Sequence, residues 1–271
     1  MGIGNPAGRL LELLSKGESI PSDKKASEAW AELLETDDSD FIDLLRKLGL
    51  VQQLPFLVRE RIRNIEDFNS DIHLEWIPAI EAAFRLMRLQ RPWGDFIGRI
   101  DKASLYALKV CDHELSKSIN SDINLENIDD LKREASSIDA AIRESSLDTE
   151  VSKYLLDNLH LIQQSFNDYQ ISGPESVREA VQITIGSIAV DNSTFNLSLN
   201  SDAGRDFWAF VKKLALLTAI IAETIAIGNF AKTQLLEIGN PTDEQQQVDV
   251  GPDSRAVFRN DENETESGAR P

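Results

Sequence analysis

The sequence predicts an all-α protein: a multi-helix bundle of about nine or ten helices with a late apolar helix and a disordered acidic C-terminal tail. Three observations carry this. Apolar residues recur at spacings of three and four through most of the first 200 positions. Ser, Asp, Pro and Gly stand where helices start and stop. At 41% hydrophobic residues the body can bury a core, whereas Gly239 to Pro271, with eight acidic and three basic residues and few apolar ones, cannot offset its chain entropy.

The elements follow in order. Leu10, Leu11, Leu13 and Leu14 mark a helix over 6–16. Ser22 or Asp23 can cap a second, holding Ala26, Ala29, Trp30, Leu33 and Leu34. Ser39 can cap a third, with Ile42, Leu45 and Leu48 on one face and Gly49 as its stop. A short helix follows over Pro55 to Ile65. Ser70 or Asp71 opens another, with Pro78 in its first turns and Pro92 at its end. Residues 94–119 repeat the pattern with Ile97, Ile100, Ser104, Ala107 and Cys111.

The centre is the most regular part. Ile128, Leu131, Ala135, Ile138 and Ile142 form one narrow stripe. After Ser145-Ser146-Leu147-Asp148, a second stripe runs Val151, Leu155, Asn158, Ile162, Phe166 and Tyr169. A short connection between facing stripes predicts an antiparallel hairpin. Gly173-Pro174 starts the next helix, carrying Val177, Ala180, Val181, Ile185 and Ile188. Residues 183–199 leave two readings. The preferred one is helix to about 189 with a short strand at 195–199. The other is two short strands around Asp191-Asn192-Ser193. The expected organisation is an N-terminal helical region (1–120), a central hairpin with the following helix (121–200), an apolar helix (201–238) and the tail (239–271).

One segment decides the functional class. Leu214 to Ala231 is apolar except for Glu223, and is preceded by Phe207, Trp208, Lys212 and Lys213. Eighteen helical residues span about 27 Å, near the thickness of a bilayer's hydrocarbon core. In a membrane, the lysines would hold the N-terminal body in the cytoplasm, and Trp208 would suit the interface. Against this, a carboxyl at mid-bilayer costs a few kcal/mol. Ala215, Ala219, Ala222, Glu223 and Ala226 share one face, opposite Leu214, Leu217, Ile221 and Ile225. The preferred reading is a core or oligomer helix. A single membrane span and a surface-lying amphipathic helix are the alternatives.

Charge and chemistry narrow the rest. Twenty-eight basic and 46 acidic residues give a net charge of −18, which argues against general nucleic-acid binding. One cysteine excludes a disulfide scaffold and any multi-thiolate metal site from this chain alone. The opening Met1 to Arg9 has no charged region followed by an apolar run, so a cytoplasmic location is expected. His73, His113 and His160 form no ligand spacing. Cys111-Asp112-His113-Glu114 diverge around a helix and cannot converge on one metal. No Gly-x-Ser-x-Gly, His-Glu-x-x-His or EF-hand loop occurs. No cofactor is expected. The one basic feature is Arg85, Arg88 and Arg91 at i, i+3, i+6, followed by Trp93 and Arg99. These could contact an anion or an acidic partner, or pair internally with Glu81, Asp95 or Asp101.

The leading expectation is therefore a non-enzymatic helical interaction protein. It would bind a partner protein or itself through the apolar C-terminal helix, with Trp208, Leu214, Leu217, Ile221, Glu223 and Ile225 as packing residues. The alternative is a membrane-anchored or membrane-perturbing effector using 207–231. The layout of helical body, apolar segment and polar tail is similar to that of many bacterial proteins, some from phage-defence neighbourhoods, which implies a defence role for that alternative. A third reading is a hydrolase whose site is assembled from distant acids and Arg85/Arg88.

Overall fold

The computed structural model describes residues 4–37, 39–65, 69–118 and 128–218. The chain divides into a unit of Met1–Asn240 and one of Pro241–Pro271, and all described residues belong to the first. Among them there are thirteen helical segments and no strand, so the all-α class holds. Nine segments have eight residues or more. The part of the expected 201–238 helix beyond residue 218 and the tail 239–271 lie outside the described residues.

Two buried clusters organise the helices. The first is built from α1 (Pro6–Gly17), α2 (Ala26–Leu33), α3 (Phe41–Arg63), α5 (Ile77–Leu86), α6 (Gly94–Ile97) and α7 (Lys102–Ser118), with the single-turn α4 (Ser70–His73) lying against α7. At its centre Trp30 packs on Phe84, Trp93 and Phe96 with ring centroids 5.9, 5.3 and 5.3 Å away. Both central indole N–H groups find acceptors: Trp93 Nε1 donates to the Gly17 carbonyl at 2.8 Å and Trp30 Nε1 to Met87 Sδ at 2.9 Å.

Several boundaries differ from the sequence reading. Gly49 does not stop α3, and Pro55 does not start a helix, because both lie inside one 23-residue helix. Its buried stripe is Leu44, Leu48, Val51, Leu54, Val58 and Ile62, which continues unbroken past both residues. Burial of that stripe outweighs the local cost of Gly and Pro. Ile42 and Leu45, expected on the inner face, are 82% and 47% exposed. Asp40, not Ser39, caps α3 by accepting from Asp43 N at 3.0 Å. Lys25 precedes α2 without a side-chain cap. That helix ends with Glu35 left-handed (φ 50) and Thr36 N donating to Ala31 O at 2.9 Å.

The helix expected to end at Pro92 ends at Leu86, where Met87 turns extended (ψ 137). The chain beyond is drawn onto the start of α2. Ala26 N donates to Arg91 O and Ser27 N to Leu89 O, both at 2.9 Å. The 94–119 helix is broken in two, since Asp101 accepts from Ser104 N at 2.6 Å and caps α7 afresh. The inner face of α7 is Ser104, Leu108, Cys111 and Leu115.

The second cluster holds α8 (Ile128–Glu144), α9 (Thr149–Asn167), α11 (Pro174–Val190), α12 (Asn192–Ser198) and α13 (Asp202–Leu217). α8 and α9 pair antiparallel across 145–148, with Arg143 reaching His160 at 3.4 Å. Leu131, Ala135, Ile138 and Ile142 face Val151, Leu155, Asn158, Ile162 and Phe166, all buried. The strand near 195–199 is absent: α12 occupies it. Asp191 caps α12 by accepting from Thr194 N at 3.1 Å, and Thr194, Phe195 and Ser198 are buried at helical spacing. Leu197, which suggested a two-residue period, is 55% exposed.

The single-turn α10 (Tyr169–Ser172) joins the two clusters. Its Ile171 packs into the first cluster, although its neighbours Phe166 and Val177 belong to the second. Ion pairs line this seam. Arg46 binds Asp168 through both terminal nitrogens, and Glu175 accepts from Arg61 at 2.5 Å and from the fully buried Arg9 at 3.4 Å. Burial pulls the Arg9 guanidinium below its usual range, and Glu175 works against that. Gly173 sits against Arg9 with φ +69, and a Cβ there would lie 2.0 Å from Arg9 Nη1.

Replacing Gly173 by Ala will therefore destabilise the fold by more than the roughly 1–3 kcal/mol of left-handed backbone strain, because it also displaces Arg9. Urea unfolding measures this, and a change under 1 kcal/mol would contradict the seam geometry. Stability will also depend on acid. Burial opposes ionisation of Asp43, but hydrogen bonding to Arg46 and the charge of Lys47 hold its pKa below 3.8. The Arg143 hydrogen bond does the same for Asp139, and Thr194 for Asp191. These contributions are complete above 3.8, the usual aspartate value, and are lost as pH falls through the lower folded values. The urea midpoint should hold between about pH 7 and pH 5 and drop near pH 3.

Candidate functional site

Three places bring functional side chains together. The first is the outer end of α13. Ser201 starts this helix, accepting from Gly204 N at 3.0 Å. Its inner face packs into the second cluster through Phe207, Trp208, Phe210, Val211, Leu214 and Ala215. Trp208 lies against Phe195 and Phe207, both at 4.9 Å, and its Nε1 donates to Ser198 Oγ at 2.9 Å. Trp208 and Leu214 are thus core residues of this chain. Leu216 and Leu217 face outward at the end of the helix, 60% and 36% exposed. Ile221, Glu223 and Ile225 lie outside the described residues. Among the described residues, no helix is long and apolar enough to cross a membrane.

The second is a cleft of about 630 Å³ at the seam, lined by Leu34, Glu35, Arg46, Lys47, Phe166 and Tyr169 among others. Its cations are engaged. Arg46 is held by Asp43 and Asp168, which raise its pKa further. Lys47 Nζ donates to the Leu34 carbonyl at 3.0 Å and pairs with Asp43 at 3.4 Å. Gln170 Nε2 donates to Glu35 at 3.1 Å. These groups stabilise the cleft walls and offer no converging set of nucleophile, base and oxyanion donor.

The third is the arginine group, which the structure rearranges. Arg85, Arg88 and Arg91 do not share a helix face: α5 ends at Leu86, so only Arg85 is on it. Arg88 and Arg91 follow in a turn closed by Arg91 N donating to Arg88 O at 2.9 Å. The turn brings them beside Arg99 around a pocket of about 130 Å³, and Arg85 is not part of its lining. Spacing in the sequence named two of the three residues. Arg99 was visible in the same run, but its convergence required the break at Met87.

The remaining candidates are dispersed. Cys111 is fully buried and its thiol donates to the His73 carbonyl at 3.3 Å. Burial pushes the thiol pKa up, with Trp76 opposing. His113 is exposed on the same helix. His160 stands 3.4 Å from Asp139. Among the described residues, no three His, Cys, Asp or Glu side chains are grouped to hold a metal ion.

In comparison with known proteins, the chain matches no family model, no curated protein and no solved structure.

A buried, elevated thiol should resist modification. Ellman's reagent is expected to label Cys111 stoichiometrically in urea and at least about a hundred-fold more slowly in the native protein. Fast native labelling would contradict the burial of α7.

Proposed function

We propose that this chain is a non-enzymatic, all-helical interaction protein that docks a partner protein, or a second copy of itself, through the apolar segment that continues from α13. One observation carries the reading. The inner face of α13 is consumed by its own core, yet Leu216 and Leu217 remain exposed where the helix ends, and the sequence continues Ala219-Ile-Ile-Ala-Glu-Thr-Ile-Ala-Ile. Apolar surface presented in this way is the usual anchor of helix-in-groove or homo-oligomer packing. Trp208 and Leu214 then serve as the rigid base of the segment, and Leu217, Ile221 and Ile225 as its contacts. The proposed location is the cytoplasm.

Light scattering on the full chain should give a mass above 30.3 kDa if the partner is a second copy, and the Ile221→Asp/Ile225→Asp variant should return to one chain. For a different partner, a photo-crosslinker at position 217 should capture protein in cells, and one at the exposed Tyr106 should not. A monomer with no selective crosslink at 217 overturns the proposal.

The membrane reading is favoured by one feature of its own: Glu223 is the only ionisable residue from Leu214 to Ala231. It requires that residues beyond Thr218 leave water for lipid while α13 stays in its core. Flotation with anionic vesicles separates the two. Lipid-bound chain lost on Ile221→Asp supports the membrane reading, and chain remaining at the bottom of the gradient supports protein docking.

A further inference from the structure

The pocket beside α6 gathers three arginines around one carboxylate, and it lies on elements other than the one proposed above for protein docking. Arg88, Arg91 and Arg99 line it with Asp95, over a floor of Met87 and Phe96. Three guanidinium groups against one carboxylate leave a local charge of about +2 in a chain whose net charge is −18.

The arginines are anchored in a way that leaves their forks open. Arg91 donates from Nε to Asp95 Oδ2 at 3.0 Å, and Arg99 donates from Nε to the Asp95 carbonyl at 2.8 Å. One residue therefore holds both guanidinium planes by their inner nitrogens. Among the described residues, none accepts from the terminal nitrogens of Arg91 or Arg99, and none accepts from Arg88. Terminal guanidinium nitrogens presented together match the planar, bidentate recognition of phosphate oxygens.

The backbone behind them is fixed. Trp93 N donates to Lys24 O at 2.7 Å and Gly94 N to Ser22 O at 2.8 Å, beyond the two bonds from Ala26 and Ser27 already described. Phe96 is buried against Trp30 and Trp93. A ligand would thus meet two guanidinium groups, those of Arg91 and Arg99, already held at one end, while Arg88 is left to close on it.

We propose that Arg88, Arg91 and Arg99 form a binding site for the phosphate group of a phosphomonoester. A monoester carries about −1.5 to −2 at neutral pH and balances the site, whereas a carboxylate would leave half of its charge uncompensated. At about 130 Å³ the pocket is well below the roughly 300 Å³ that encloses a whole drug-sized ligand. It therefore takes the phosphate, and the organic part lies outside, next to the 56% exposed Leu86. That organic part is either a small ester or the side chain of a phosphorylated partner protein.

The test is calorimetric titration of the full chain at constant ionic strength with inorganic phosphate, phenyl phosphate, a phosphoserine peptide and its serine counterpart, with benzoate as a monoanion control. Saturable one-to-one binding of inorganic phosphate and both phosphate esters is expected, with none for benzoate or the serine peptide. Arg88→Gln and Arg99→Gln should each weaken phenyl phosphate binding by about ten-fold or more. Arg85→Gln, outside the pocket, should leave it unchanged. Because the Arg88 side chain has no partner among the described residues, its variant should keep the native thermal midpoint, which separates loss of binding from loss of structure. A phosphoserine peptide tighter than phenyl phosphate assigns the phosphate to a protein partner, and the reverse order assigns it to a small ester. Absence of saturation by phosphate, equal binding of benzoate, or equal loss from Arg85→Gln and Arg88→Gln overturns the proposal.

Discussion

The structure depends on keeping a charge buried. Arg9 is fully enclosed, and a guanidinium in that position is tolerated only where acceptors and opposite charge accompany it. Glu175 supplies the charge, and Arg61 holds Glu175 from the other side. Arg9 belongs to α1 and Glu175 to the first turn of α11, so the requirement fixes the start of α11 against the first core. Gly173 follows from it, because the missing Cβ is what leaves room for the guanidinium, and glycine also accepts the positive φ there. Arg46 and Asp168 repeat the arrangement a few residues earlier. Between these pairs the chain makes one helical turn and delivers Ile171 to the neighbouring core.

What the sequence disclosed depended on how strictly each segment kept a single period. α8 and α9 repeat apolar residues at three and four, and Leu131 to Ile142 and Val151 to Phe166 are buried as the spacing indicated, although Ile128 is only half-buried and Tyr169 falls in α10. α3 was divided at Gly49 and Pro55 because local signals were weighed above the stripe from Leu44 to Ile62, and long-range burial overrules local cost. α12 was read as a strand because Phe195, Leu197 and Leu199 alternate. The capping bond of Asp191 was the better signal, and it was present in the sequence as Asp followed three residues later by Thr. At the arginine pocket, Arg88 and Arg91 were found by a helical spacing that the fold does not use. The turn that joins them to Arg99 is made by backbone bonds to α2, and those leave no trace in side-chain identity.

The apolar end of α13 shows how a core can define a surface. Eight residues of the helix are buried, seven of them in the core shared with α8, α9, α11 and α12, so none of them is free to meet another molecule. The outward turn at Leu216 and Leu217 inherits a fixed position and direction from that packing. A segment held in this way loses less entropy on docking than one on a loose tether. Thr218 reinforces the end by returning its hydroxyl to the Leu214 carbonyl at 2.8 Å, and Arg178 from α11 donates to the Thr218 carbonyl at 3.0 Å.

Ile171 has a consequence for how such a gene can change. A fragment ending at Ser118 would carry most of the first core but would lack its plug and the counter-ion of Arg9, and a fragment beginning at Ile128 would display that plug with nothing to receive it. Recombination between the halves therefore meets a penalty at both new ends. Separating the two lobes costs each of them, and a chain break is better tolerated outside the handover from α9 to α11.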